Sequence, residues 1–229
     1  DAVPLIIDTL KGEGFRFHHV LIRDAAYNSI PRTVRSELHE RAAEWLDIER
    51  PGQDELVGYH LEQAYRCRLD IDSAGESTRR LAADAGRRLG AAGLRAAKSG
   101  DVRAAANLLT RASCLLPTSE LTRDDLLTEL GLVLWREGQL EEAAEKLRLA
   151  LETAELERDR RAELRARLEL ANLRLFRAPE DGADEILALA ADAIPSLEEL
   201  GDERSLGRFW YVLAFVHGGL HCQYGESAR

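Results

Sequence analysis

The chain has 229 residues, 45% hydrophobic and 31% charged, with a formal net charge of −10. That is enough for one large or two small folded bodies with a sizeable core. Residues 1–118 balance 17 acidic against 17 basic side chains, while residues 119–229 carry 24 against 14, so the second half repels phosphate backbones and excludes direct nucleic-acid binding there.

No apolar run of 18 residues and no signal-peptide pattern occurs, so no membrane partner is expected. Cys67, Cys114 and Cys222 lie far apart and read as reduced thiols of a cytoplasmic protein. The chain contains no methionine and opens on what reads as mid-strand, which predicts a piece of a longer protein.

Taken in order, VPLIIDTL (Val3–Leu10) and Phe15–His18 flank a glycine-containing turn and predict a β-hairpin. Helical spacing follows at once through Val20, Leu21, Ala25, Ala26 and Ile30. Pro31 opens the next helix, for which Val34, Leu38, Ala42, Trp45 and Leu46 form the expected buried face, and Pro51-Gly52 ends it. Asp54 is expected to cap the helix Glu55–Arg68, with Leu56, Tyr59, His60, Gln63, Ala64 and Cys67 on one side. After a polar linker from Leu69 to Glu76, a long helix runs from Thr78 to Lys98.

From there the chain repeats itself. Gly93, Ala105 and Ala112 surround the turn Ser99-Gly100-Asp101, and Pro117 closes the unit. Thirty-eight residues later Gly131, Ala143 and Ala150 stand at the same offsets around Glu137-Gly138-Gln139. Helices that meet through Gly and Ala approach closely but cannot cover their own apolar face, so each pair must stack on a neighbour. A third unit reads as Arg161–Phe176 and Ala183–Leu200, joined by a longer turn over residues 178–182, with Leu170-Ala171 at the tight contact. Pro195 is expected to kink the return helix or end it near Ile194. A fourth begins at Glu203–Leu220, with Ala214 in the tight position, an exposed face of Phe209, Leu213 and Val216, and a partner helix from Tyr224.

Small residues at these offsets, closed by proline, resemble the tetratricopeptide repeat, although the 38-residue spacing exceeds the family's usual length. The resemblance implies an all-α fold, an α–α superhelix of tetratricopeptide-like helical hairpins with a short N-terminal β-hairpin. In this reading residues 1–50 are the end of a winged-helix domain, 51–77 a linking helix, and 78–229 the repeats.

His19-Val20-Leu21-Ile22-Arg23-Asp24 resembles the stretch that ends the winged-helix domain of STAND-type signalling ATPases, departing from it at His18 and Val20. That resemblance implies that His19 reaches the phosphates of bound ADP and reports the nucleotide state. The run from Phe15 through Arg68 is similar to the segment between ATPase core and repeats in large bacterial ATPases of this class. Some of those carry a class III adenylyl or guanylyl cyclase domain, others a LuxR-type helix-turn-helix. The resemblance implies a regulatory arm without cofactor of its own, ATP or ADP being held by an upstream nucleotide-binding domain of the same chain. Its partners would be that domain and a protein, peptide or small effector in the repeat groove, with a homo-oligomer left open.

Other motifs are incomplete. Lys98-Ser99 lacks the glycines of a phosphate-binding loop, His39-Glu40 lacks the second histidine of a zinc-protease helix, and Gly12-Glu13-Gly14 lacks a third glycine. His217, His221 and Cys222 offer no fourth metal ligand. The arginine-rich helices (Arg79, Arg80, Arg87 and Arg88, then Arg158, Arg160, Arg161, Arg165 and Arg167) are interleaved with acids and read as solvated faces. A minority of those arginines is left open as a grip on an acidic peptide. Tyr59, Tyr65, Trp135, Trp210 and Tyr211 read as core or groove anchors. No catalytic residue and no metal site is assigned.

Overall fold

The computed structural model describes residues 6–8, 15–73, 75–117 and 122–220. Strands β1 (Ile6–Asp8) and β2 (Phe15–Phe17) pair antiparallel with Ile6 opposite Phe17, as the hairpin reading expects. The helices are α1 (Val20–Ser29), α2 (Arg32–Glu49), α3 (Asp54–Leu69), α4 (Glu76–Ser99), α5 (Val102–Leu115), α6 (Thr122–Arg136), α7 (Leu140–Glu157), α8 (Arg160–Arg177), α9 (Pro179–Leu200) and α10 (Glu203–Phe215). A π-helical turn, Val216–Leu220, prolongs α10. Contacts divide the chain into two units, Asp1–Ala85 and Gly86–Arg229.

In the first unit α2 packs on α3 around Ala43, Leu46 and Val57, with Leu61 against them. The faces turned inward differ from those expected. Val34, Leu38 and Trp45 of α2 are exposed, as are Leu56 and Tyr59 of α3. The buried positions are Ser36, Ala43 and Leu46 on α2, and Val57, Gly58, Glu62 and Ala64 on α3. Most of these are small, so the two backbones close in and the bulky residues are turned outward. Asp54 is the first residue of α3 rather than its cap; Gln53 holds the cap position without a side-chain bond. As an acid in the first turn, Asp54 still favours the positive end of the helix dipole.

Ser36 is a buried polar residue at the centre of this pair's contacts. Its hydroxyl lies 3.2 Å from the Ala64 carbonyl and 3.1 Å from Glu40 Oε1, and it accepts from Arg68 Nε at 3.1 Å. Arg68 also donates through Nη2 to Glu40 at 2.8 Å.

In the second unit α5 through α10 pack in sequence order, each on the next, and α6 also touches α8 as α8 touches α10. Contact between alternate helices is the packing of an α–α superhelix built from tetratricopeptide-like hairpins. The 38-residue repeat is literal in three dimensions. A Cβ on Gly93 would lie 2.8 Å from Leu109 Cγ, and one on Gly131 would lie 2.6 Å from Leu147 Cγ. Both leucines are fully buried, as are Ala105, Ala112, Ala143 and Ala150 beside them. The turns match too: Gly100 has φ +82° and Gly138 φ +81°, a left-handed backbone that favours glycine. Asp101 then caps α5 by accepting from the Ala104 amide at 3.1 Å. Pro117 follows the end of α5 at Leu115.

The third hairpin departs from the expectation at Pro179 and, as to where the return helix ends, at Pro195. Pro179 opens α9 at its first position, so the expected long turn shrinks to Ala178 and residues 179–182 are already helical. Gly182 permits this, since a Cβ there would come within 2.4 Å of the Leu175 Cα. Pro195 does not end α9, which runs on to Leu200. Its missing N–H costs one backbone bond, but Ala193 and Leu197 on either side are fully buried and hold both arms in place. Ala171 is buried at the tight contact as read, whereas Ala214 is exposed. The partner helix expected from Tyr224 lies outside the described residues.

The apolar face predicted to be exposed on α10 is covered instead. Phe209, Leu213 and Val216 are buried among α8 and α9 residues, and Trp210 and Tyr211 stand out at 55% and 67% exposure. The α8–α9 pair already supplies the cover expected from a following repeat. No helix among the described residues is long and apolar enough to cross a membrane.

Candidate functional site

The first helix of each hairpin turns one stripe away from its partner, and these stripes line a cleft of about 360 Å3 in the second unit. On α6 the stripe is Asp125, Thr128, Glu129 and Leu132, on α8 Arg165 and Glu169, and on α10 Arg204, Arg208 and Tyr211. Spacings of three, four and seven put each set on one helical face. Leu94 of α4 adds apolar surface.

Three arginine–carboxylate pairs cross this cleft, each with the carboxylate on the earlier helix. Arg165 meets Asp125 at 2.8 Å, joining α8 to α6. Arg204 on α10 meets Glu129 on α6, 75 residues away in sequence. Arg208 grips Glu169 with two bonds, Nε to Oε1 at 2.6 Å and Nη2 to Oε2 at 2.8 Å. The Glu169 side chain is only 4% exposed, so the pair sits in a low-dielectric place where charge-assisted bonds are strong. Hydrogen bonding to Glu169 raises the Arg208 pKa above its ordinary value against the opposing effect of burial. The guanidinium carbon lies 5.5 Å from the centre of the Tyr211 ring, within cation–π range.

The start of α10 is fixed by its own cap. Asp202 accepts from the Ser205 amide at 3.1 Å and its hydroxyl at 2.7 Å. Burial pushes the Asp202 carboxyl up, but the two Ser205 bonds, with Arg165 and Arg161 nearby, hold it below the usual carboxylate value. One turn on, a Cβ at Gly207 would meet no atom within 4 Å, so the cleft is open there.

Of the residues weighed in the sequence, Arg165 and Tyr211 line the cleft, while Tyr59, Tyr65, Trp135 and Trp210 do not. Trp135 packs edge-on against Phe176 with ring centres 4.9 Å apart. The three cleft arginines all have carboxylate partners. Sequence reasoning misses Arg204, Arg208, Glu169 and Gly207; the signal available is the 204–208–211 spacing on one helix face.

His19, the residue read as a nucleotide sensor, is the N-cap of α1, where its Nδ1 accepts from the Leu21 amide at 3.1 Å. Its side chain is exposed. His217 is exposed, and His221 and Cys222 lie outside the described residues. Among the described residues no group of three or more His, Cys, Asp or Glu side chains is placed to hold a metal. Cys67 and Cys114 are free thiols.

No family model matches this chain, and no curated protein matches it significantly. Similar solved structures include these two. One is of the nearly identical TPR-like repeats of a putative kinesin light chain from Podosopora anserina, 16% identical over 83% of this chain and 97% of that one, with a TM-score of 0.38. The other is a single-substitution form of the same repeats, 15% identical over 80% of this chain and 96% of that one, also with a TM-score of 0.38.

Proposed function

We propose that the chain is a non-catalytic binding scaffold whose partner, a peptide segment of another protein or of a neighbouring domain, lies in the cleft between α6, α8 and α10. The observation that supports it is the open space above Gly207, flanked by the exposed Tyr211 ring and the crossing ion pairs. An aromatic platform beside paired charges suits a segment with apolar anchors and polar backbone groups, since neither sign of charge in the cleft is left unopposed. Each ion pair must stay intact or be replaced when the partner enters, which favours a specific segment over any charged chain.

Peptides selected from a displayed library on the 229-residue chain test this directly. Gly207→Leu fills the cleft, its Cβ meeting no existing atom. It is expected to weaken their binding at least about tenfold, which corresponds to about 1.4 kcal/mol. Equal binding by the variant, or failure to select any peptide, would sink the cleft reading.

The finer proposal is that this scaffold is the regulatory arm of a bacterial STAND-type signalling ATPase, coupled to a class III nucleotide cyclase, with a LuxR-type transcription activator as the alternative output. The Phe15–Asp24 resemblance supports it. In that arrangement His19 has its Nδ1 engaged as a helix cap and keeps Nε2 for a phosphate oxygen of ADP on the upstream domain. His19→Ala in the protein carrying that domain is expected to weaken ADP binding; unchanged affinity removes the sensor role.

A further inference from the structure

The first unit contains a chain of side-chain contacts that neither the fold nor the cleft uses. The Tyr27 hydroxyl of α1 lies 2.9 Å from His39 Nε2 of α2, and His39 Nδ1 lies 2.9 Å from His60 Nδ1 of α3. Tyr59 stands edge-on to both imidazoles, with ring centres 6.5 and 5.3 Å away. The Arg35 guanidinium lies 5.0 Å from the centre of the Tyr27 ring. Helix α1 has no buried residue of its own. Its end is therefore tied to the α2–α3 pair through Tyr27, which bonds His39 and carries the Arg35 cation over its ring.

We propose that Tyr27, His39 and His60 form a proton-operated latch that holds the end of α1 on the α2–α3 pair at neutral pH and releases it on acidification.

The proton count gives the mechanism. With both imidazoles neutral, the Tyr27 O–H donates to His39 Nε2, and His39 Nδ1–H donates to His60 Nδ1. Every bond in the chain is then satisfied. One added proton is still carried, either by His39 as a double donor towards the Tyr27 oxygen and His60, or by His60 donating to His39 Nδ1 while His39 Nε2–H turns to the Tyr27 oxygen. A second puts an N–H on both facing Nδ1 atoms at hydrogen-bond distance, together with two like charges. That state must separate the rings; His39 is displaced from the position in which it meets Tyr27, and the end of α1 loses its tie to the pair.

The groups facing the chain add to the effect rather than oppose it. Arg35 on α2 is a cation, burial raises the Tyr27 phenol and keeps it neutral, and Tyr59 and Cys67 are not carboxylates. Glu40, one residue beyond His39, is occupied by Arg68 and Ser36. Burial, then His60 and Arg35, lower the pKa of His39; burial lowers that of His60. A histidine with a lowered folded pKa contributes stability that is fully present above its unfolded value of about 6.5 and is lost as pH falls below it. The latch is thus closed at about pH 7.5 and loosens as the pH falls below about 6.5.

Amide hydrogen exchange on the 229-residue chain at about pH 7.5 and about pH 5, corrected for intrinsic rates, tests this. Protection in α1 is expected to fall about tenfold or more at the lower pH, since each pKa unit is a factor of ten per proton. The α2–α3 core around Ala43, Leu46 and Val57 is expected to stay protected. His39→Phe keeps a ring in place but carries no proton, and should leave α1 equally unprotected at both pH values. Tyr27→Phe, which keeps both histidines, should lower α1 protection already at the higher pH. Unchanged α1 protection in the wild type overturns the proposal. So does parallel loss in the α2–α3 core, a retained pH dependence in His39→Phe, or full protection in Tyr27→Phe.

Discussion

In Gly86–Arg229 the helices meet through glycine and alanine, with leucines filling the gap left by each missing Cβ. In the α2–α3 pair of the N-terminal unit, small residues again allow close approach, but hydroxyl, imidazole and guanidinium groups make the contacts. The first kind of interface loses stability in proportion to the volume removed, because only packing is at stake. The second is asymmetric: deleting one partner leaves others buried and unsatisfied, so a small deletion costs more than its size suggests. It also responds to pH, which an apolar interface does not.

The largest effect is expected in the packed unit. Phe209 is fully buried between α8, α9 and α10, and Phe209→Ala should cost about 3–5 kcal/mol, read as a lowered denaturation midpoint by circular dichroism. Exchange protection should fall in α8–α10 first. A loss below about 1 kcal/mol would mean that α10 is not held by this ring, and the contrast between the units would fail. A smaller but disproportionate effect is expected from Ser36→Ala, which removes a single oxygen. It leaves Arg68 Nε without one of its acceptors and the Ala64 carbonyl without its side-chain donor, at a cost of about 1–3 kcal/mol. A neutral result would show that Arg68 and Glu40 hold α2 on α3 by themselves.

The repeat unit is legible in the sequence because its information is periodic. Gly93 and Gly131, 38 residues apart, meet Leu109 and Leu147, also 38 apart, and nothing but a small residue fits either place. The two turn glycines follow the same offset, since both need a left-handed backbone. Legibility stops where the packed neighbours decide the outcome. On α10 Phe209, Leu213 and Val216 are the apolar stripe that the sequence marks, yet the stripe expected to be exposed is covered by α8 and α9. On α2 the spacing predicts the bulky Val34, Leu38 and Trp45 as core, whereas the small Ser36 and Ala43 are inside. Size argues for burial in a string of residues, but close helix approach selects against it. The cleft is harder still. Arg208 and Glu169 are 39 residues apart, on different helices, and either alone reads as a solvated charge.

Local chemistry along the chain is sufficient to set the helices, their turns, and the pairing of α4 with α5 and α6 with α7, because these depend on backbone propensity and on spacing within a few turns. Which face of α2, α3 and α10 points inward is decided only by the packed neighbours, as are the crossing of three ion pairs over one cleft and the meeting of His39 with His60. Those outcomes depend on distances between residues that no local pattern relates, and they come into being when the helices close on one another.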